Sequence, residues 1–215
     1  MQTRVIPVTL FQSNCSIVWD ELSMEGIVVD AGGDAERVAK FIAEEGISVK
    51  AIFLTHGHVD HVSGTNKLKD VTGAKAWLHP ADNLLAEQTR HQCQMFGIPM
   101  EEAPVVDHAL ADGQQHTFGS LSFEILHTPG HSPGSCCLYF ADATEPLLVA
   151  GDLLFAGSIG RMDLPGGDQQ QMKASLERIK KLPDATVVIS GHGPGTSIGQ
   201  EKKQNPYLLD GMHIW

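Results

Sequence analysis

The chain has 215 residues, 42% of them hydrophobic and 19% charged, enough apolar material for a sizeable core in a length that suits one domain. Its formal charge of −11, from 15 Lys and Arg against 26 Asp and Glu, leaves no basic surplus to neutralise phosphates, which excludes nucleic acid and anionic membrane as default partners. No leader-like apolar core opens the sequence and no run approaches the ~18–20 apolar residues of a membrane span, so a soluble, cytoplasmic protein is expected.

In chain order, RVIPVTLF (4–11), CSIVW (15–19) and GIVVD (26–30) read as strands parted by turn residues. Asp34 is placed to cap a helix over 35–45, in which Ala35, Val38, Phe41 and Ile42 share one face and Gly46 is the stop. VKAIFLT (49–55) is a short apolar run of the kind a buried strand shows, and it leads directly into THGHVDH. KAWLHP (75–80), SLSFEILH (120–127), CCLYF (136–140), PLLVAG (146–151) and TVVISG (186–191) follow as strands. Residues 86–97 carry a weaker helical pattern. A further helix is predicted from Asp168 to about Lys181, with Met172, Leu176 and Ile179 inward and Pro183 beyond its end. The strands fall in clusters, so the expected fold class is α+β with two sheets, not a doubly wound parallel sheet. No repeat, low-complexity tract or charge block marks a boundary, and residues 1–215 are expected to form a single domain.

The apolar strands deliver imidazoles and carboxylates into short Gly- and Pro-containing loops. AIFLT is followed by His56, His58, Asp60 and His61, FEILHTPG by His131, LLVAG by Asp152 and VVISG by His192. Sites are commonly built on such loops, held by a rigid scaffold. Taken singly, His131 and His192 are ordinary turn residues and Asp152 an ordinary cap. His79 and His127 read as structural or supporting, and His91, His108, His116 and His213 carry no pattern. The HxHxDH cluster is different. With 11 His in the chain, chance produces it in roughly two sequences per thousand of this composition.

Five histidines and two aspartates, with no cysteine in these loops, form a nitrogen and oxygen donor set. The four cysteines include an adjacent pair and no CxxC spacing, so neither a disulfide framework nor a zinc–thiolate site is indicated. Seven donors are too many for one tetrahedral ion and suit two ions sharing a carboxylate. The expected split is His56, His58 and His131 on one ion and Asp60, His61 and His192 on the other, with Asp152 bridging. Paired ions about 3.5–4 Å apart lower the pKa of a shared water. The donors admit one or two divalent ions, zinc as well as iron or manganese.

THGHVDH, His131 in TPGHSPGS, Asp152 in GDLLF and His192 in SGHGPGT together resemble the metallo-β-lactamase-fold hydrolases, over roughly residues 5–207. That resemblance implies a four-layer αββα sandwich with the metal site at one edge of the two sheets. GDLLF followed by GSIGRMDLPGGD is similar to the glyoxalase II branch, the hydroxyacylglutathione hydrolases, in its short single-domain bacterial form. Asp152 stands where the β-lactamases with a cysteine metal ligand carry that cysteine. The implied reaction, a step of methylglyoxal detoxification, is hydrolysis of S-D-lactoylglutathione or a related acyl-glutathione thioester by hydroxide generated on the metals. Asp60 and Asp152 would be catalytic as well as metal-holding.

The chain departs from the glyoxalase II pattern twice. Only about 20 residues follow the His192 loop, too few for the C-terminal helical domain with which the full-length enzymes hold glutathione. The family's Lys/Arg-x-Tyr appears here as Arg161-Met162-Asp163. Arg161, with Lys202 and Lys203, is then left to take the glutathione carboxylates. The 86–97 segment is a candidate lid in place of the missing domain. Two rival readings accompany this one. Persulfide dioxygenases are similar in His56, His131, Asp152 and the GRxD stretch and would carry a single iron. A non-catalytic metal-binding or redox-partner protein would keep the ligands for structure alone.

Overall fold

Two six-stranded mixed sheets face each other, with helices on both outer faces, in the computed structural model, which describes residues 1–141 and 143–209. The first sheet runs in sequence order through β1 (Gln2–Val8), β2 (Ser13–Trp19), β3 (Glu25–Val29), β4 (Ser48–Phe53), β5 (Lys75–Leu78) and β6 (His108–Ala109). Its first three strands are antiparallel, and β3 to β6 are parallel. The second sheet contains β7 (Gln115–Phe118), β8 (Leu121–His127), β9 (Cys136–Phe140), β10 (Leu147–Gly151), β13 (Val187–Ser190) and β14 (Thr196–Ser197), with β10 and β13 parallel. A small hairpin of β11 (Leu154–Phe155) and β12 (Ser158–Ile159) lies between them in sequence.

Alternation along the strands builds three layers of core. In β2 and β3, Val18, Ile27 and Val29 point between the sheets, where they meet Phe123, Leu138 and Val149 of the second sheet. Their neighbours Ile17 and Val28 point the other way, onto α1 (Ala35–Glu45) and α3 (Thr65–Thr72) through Val38, Ile42 and Leu68. On the far side, Leu148 and Val188 pack against Met172, Leu176 and Ile179 of α6 (Gln169–Ile179) and Ile198 of α7 (Ile198–Gln204). Each such side chain, fully buried, contributes roughly 1.5–3 kcal/mol. This is the αββα sandwich the resemblance implies.

Local differences from the sequence reading have physical causes. The first strand stops at Val8, not Phe11, because Thr9 and Gln12 take left-handed conformations (φ 59° and 54°) and turn the chain back into β2. Asp34 occupies the N-cap position of α1 without capping it. It is itself left-handed (φ 46°), and its carboxylate accepts the Thr9 N–H at 3.1 Å. The 86–97 segment belongs to two helices, α4 (Asn83–Glu87) and α5 (Thr89–Phe96), broken at Gln88. Asp168 does cap α6, accepting the Gln171 N–H at 2.8 Å.

Candidate metal centre

The strands β4, β8, β10 and β13 end at one edge of the sandwich, and the loops beyond them converge there. The two sheets are stitched at this edge. Cys136 N–H donates to Thr55 O at 2.8 Å, Asn14 N–H to Gly191 O at 2.7 Å, and the Asn14 side-chain amide to the carbonyls of Ser190 and Gly193, each at 2.9 Å. His56 lies in a bend and His58 is extended, whereas Val59–Val62 forms one helical turn, α2. That change of backbone turns Asp60 and His61 away from the direction taken by His56 and His58.

Two groups of ligand atoms result. His56, His58 and His131 form one and Asp60, His61 and His192 the other, with the atoms of each group within 4.8 Å of one another. Asp152 lies between them: its Oδ2 is 3.5 Å from His131 Nε2 and 3.6 Å from His192 Nε2, and its Oδ1 is 3.4 Å from His61 Nε2. Asp60 Oδ2 is 3.1 Å from His192 Nε2 and 3.5 Å from His61 Nε2.

This chemistry fits divalent cations. His56 Nε2 and Asp152 Oδ1 are buried and have no hydrogen-bond partner, a costly condition for polar atoms in a native interior. His58 Nδ1 and His131 Nε2 face each other at 2.9 Å, as do His61 Nε2 and His192 Nε2 at 3.2 Å, so lone pairs meet with at most one proton between them. Burial, together with the neighbouring imidazoles, holds His56 well below the ordinary histidine value and takes His58 down to about 3. Burial also opposes charge on His61, but Asp60, Asp152 and Asp30 outweigh it and raise His61 to about 10. Asp60 resists ionisation by burial, yet His61 and His192 hold it below the usual carboxylate range. The first group thus contains two imidazoles held neutral, His56 and His58, whereas the second group is charged.

The back nitrogens of the rings are held as metal-ligating imidazoles are usually held. His131 Nδ1 lies 2.7 Å from Arg161 O and His192 Nδ1 3.1 Å from Phe11 O. His61 Nδ1 is 2.9 Å from Asp30 Oδ2, and His56 Nδ1 is 2.9 Å from Thr55 Oγ1, which donates to the same Asp30 oxygen at 2.7 Å. Asp30, His56 and His61 form a further close grouping, and these hydrogen bonds account for it. The sequence reading passed over Asp30, although it follows a buried strand, the signal that singles out Asp152. It also passed over Gln92 of α5, whose Oε1 accepts the Val59 N–H at 2.9 Å while its amide donates to Leu85 O at 2.8 Å. The 86–97 segment therefore buttresses the histidine loop on its inner face. On its outer side Met95 and Phe96 are exposed, Phe96 meeting Phe11 edge-on at 5.6 Å, and Arg90 pairs with Glu102.

The other candidates are placed as follows. The exposed Arg161 guanidinium makes a two-pronged pair with Asp163, at 2.7 and 2.6 Å. Lys202 Nζ binds Asp184 at 2.6 Å and Leu182 O at 3.2 Å, before the start of β13 and so at the end away from His192, and Lys203 is exposed on the same helix. His79 and His127 stack at 4.1 Å, with His127 Nε2 2.9 Å from Pro133 O on the loop that carries His131. His116 packs on Phe53 and Phe123, Trp77 stacks beside His108, and His213 lies outside the described residues. Cys15, Cys93, Cys136 and Cys137 are buried and free, and burial pushes the Cys15, Cys136 and Cys137 thiols up, away from nucleophilic use. Among the described residues no helix is long and apolar enough to cross a membrane.

Comparison with known proteins agrees with the geometry. Residues 8–192 match the family model of the metallo-beta-lactamase superfamily. The chain is 41% identical to the hydroxyacylglutathione hydrolase GloC of Haemophilus influenzae, covering 97% of this chain and 98% of that one. Among solved structures, the BLEG-1 B3 metallo-beta-lactamase superposes with a TM-score of 0.90 at 36% identity, covering 97% of this chain and 100% of that one. TTHA1623, solved in a di-iron-bound form, superposes at 0.87 with 35% identity, covering 95% and 100%. The chain belongs to the metallo-β-lactamase superfamily.

Proposed function

We propose that the protein is a binuclear metal-dependent thioesterase that hydrolyses S-D-lactoylglutathione or a related acyl-glutathione to glutathione and a hydroxy acid. The observation that carries the substrate class is the 41% identity to a hydroxyacylglutathione hydrolase along nearly the full length of both chains. The two ligand groups flanking Asp152, with its Oδ1 and His56 Nε2 lacking any hydrogen-bond partner, support the metal chemistry.

In this reading His56, His58 and His131 would hold one divalent ion, Asp60, His61 and His192 would hold the other, and Asp152 would contribute to both. Bound there, such ions lower the pKa of a water and polarise the thioester carbonyl as Lewis acids. Asp60 stays charged in this field, so it can help hold its ion and orient the attacking water by accepting a hydrogen bond from it. The departing glutathione thiolate has an intrinsic pKa near ~8.5 and leaves without a dedicated acid. Arg161 adjoins the His131 loop through its carbonyl, and its charge is felt at His58. It can take a substrate carboxylate by exchanging Asp163 for it. Lys202 is held by Asp184 and Leu182 at the end of β13 away from His192, so the reading leans on Arg161.

The test is thioester cleavage of S-D-lactoylglutathione by protein stripped of metal and then given zinc, iron or manganese, beside Asp152→Ala. Restored cleavage that Asp152→Ala abolishes is the expected result. A second reading rests on the likeness to BLEG-1, a B3 metallo-beta-lactamase. Hydrolysis of a chromogenic cephalosporin with no thioester cleavage would replace the first reading with it. Oxygen uptake with glutathione persulfide would replace it with a dioxygenase.

A further inference from the structure

Asp82 lies beside the candidate metal centre without belonging to either ligand group. It occupies the N-cap position of α4, where an aspartate ordinarily accepts a helix N–H, yet its side chain makes no capping bond. The carboxylate, fully buried, is turned inward instead. Its Oδ2 accepts the Gly57 N–H at 2.8 Å and the Ser132 hydroxyl at 2.6 Å, and its Oδ1 accepts the Gly134 N–H at 2.5 Å. Gly57 stands between His56 and His58, while Ser132 and Gly134 follow His131. One carboxylate therefore joins the two loops that carry the first ligand group, 25 and 50 residues away from it in sequence.

The fit is close. A Cβ on Gly134 would sit 2.7 Å from Asp82 Cγ, so only glycine lets the carboxylate approach that backbone. Ser132 is further fixed by Ser135, whose Oγ lies 2.7 Å from the Ser132 hydroxyl and accepts the Ser132 N–H at 3.2 Å. A buried carboxylate that gives up a cap is worth its desolvation only where its partners are many and well aligned, and here all three donors belong to the two histidine loops. The second ligand group receives no such bond from Asp82.

We propose that Asp82 is a positioning residue for the first metal site, setting the separation of His56 and His58 from His131 and so the affinity of that site, with little effect on the second. This rests on the ligand split given above and not on the identity of the substrate.

The test is titration of metal-stripped protein with cobalt(II), followed calorimetrically and by the d–d absorption of the bound ion, beside thermal unfolding without metal. His131→Ala and His192→Ala identify which binding step belongs to which group. In Asp82→Asn the amide nitrogen cannot accept, and a buried N–H loses its partner. Ser132→Ala removes one donor and leaves both backbone bonds. The expected result is that Asp82→Asn weakens the His131-dependent step about 10- to 100-fold and shifts its cobalt spectrum, while the His192-dependent step stays within about threefold. Ser132→Ala gives a smaller change of the same selectivity. Equal weakening of both steps, in proportion to lost thermal stability, would overturn the proposal, as would no change in either. If Asp82→Asn does not fold, Ser132→Ala decides by the same criterion. Failure of the two histidine variants to remove separate steps would appear in those variants themselves; it would overturn the ligand split, and this proposal with it, while thioester cleavage is scored independently.

Discussion

Asp30 Oδ2 lies 2.9 Å from Nδ1 of His61, and no side-chain surface of Asp30 of any consequence reaches solvent. The same carboxylate accepts the Thr55 N–H and hydroxyl, each at 2.7 Å, and Thr55 Oγ1 in turn meets His56 Nδ1. One acid thus orients a ring in each ligand group. Asp30 has φ 58°, a conformation that asparagine tolerates nearly as well as any residue with a side chain. Asp30→Asn therefore isolates the loss of the charge and of one acceptor. Affinity for both metal ions is expected to fall by about 10- to 100-fold, because partners of this kind fix tautomer and basicity. Metal content after dialysis against graded chelator measures it, and unchanged content would remove Asp30 from the site.

Arg161 contributes in two separable ways. Its carbonyl meets His131 Nδ1 at 2.7 Å, and its guanidinium is held by Asp163. Arg161→Ala keeps the carbonyl and removes the cation. If the guanidinium binds a substrate carboxylate equally in ground and transition states, KM rises by about tenfold with kcat nearly unchanged. Asp163→Asn should do the reverse, lowering KM, since it frees the cation from its competitor. A fall in kcat with constant KM in Arg161→Ala would place Arg161 in the chemistry instead.

The sequence was informative where one residue's chemistry suffices and silent where partners come from afar. HxHxDH, and single donors placed just after apolar strands, made the candidate centre readable because strand ends are where such loops carry sites. The helix α1 was readable to the residue, its apolar spacing agreeing with the Gly46 stop. By contrast α3 buries only Thr65 and Leu68, too little for a period to show, and so it passed unseen. The split of 86–97 at Gln88 has no Gly or Pro to announce it. Asp82 and Gln92 act through bonds spanning 25 to 52 residues, and nothing local distinguishes them from ordinary polar residues, whereas Asp30 carries only the strand-end signal with no neighbouring donor to draw attention to it. Asp34 shows the opposite error: a good cap by type, it is recruited by the Thr9 turn.

Asp107 gives the fold a pH-dependent tie between α3, β5 and β6. It accepts from Lys69 Nζ at 2.6 Å and from the Ala76 N–H at 2.8 Å. Partial burial works against its charge, but these donors hold its carboxyl below the ordinary value. A lowered carboxylate stabilises the fold above the unfolded value of about 4, and that contribution is lost as pH falls through the folded value. Asp107→Asn is therefore expected to cost about 0.5–1.5 kcal/mol at pH 7, with the difference shrinking below about pH 4. Urea midpoints of metal-stripped protein at pH 7 and pH 3 measure it. A difference that grows on acidification would contradict the sign.

Gly191 bears most directly on the shared carboxylate. It separates β13 from His192, and a Cβ built there would lie 2.1 Å from Asp152 Oδ1 and 2.9 Å from His61 Cε1. Gly191→Ala must therefore move the Asp152 carboxylate, which is placed between the two ligand triads, while the Gly191 N–H can keep its bond to Gly151 O. Loss of kcat/KM of at least about a hundredfold is expected, since displacing a shared ligand should cost no less than losing an outer partner. Asp152→Ala should match or exceed that loss. If the damage runs through Asp152, the two changes are not additive: once the carboxylate is gone, Gly191→Ala has little left to disturb. The double variant should then be no worse than Asp152→Ala alone by more than about threefold in residual rate and metal content. Full additivity would show that the methyl group acts on His61 or the backbone, and that Asp152 does not occupy the position between the two groups on which the paired-ion reading depends.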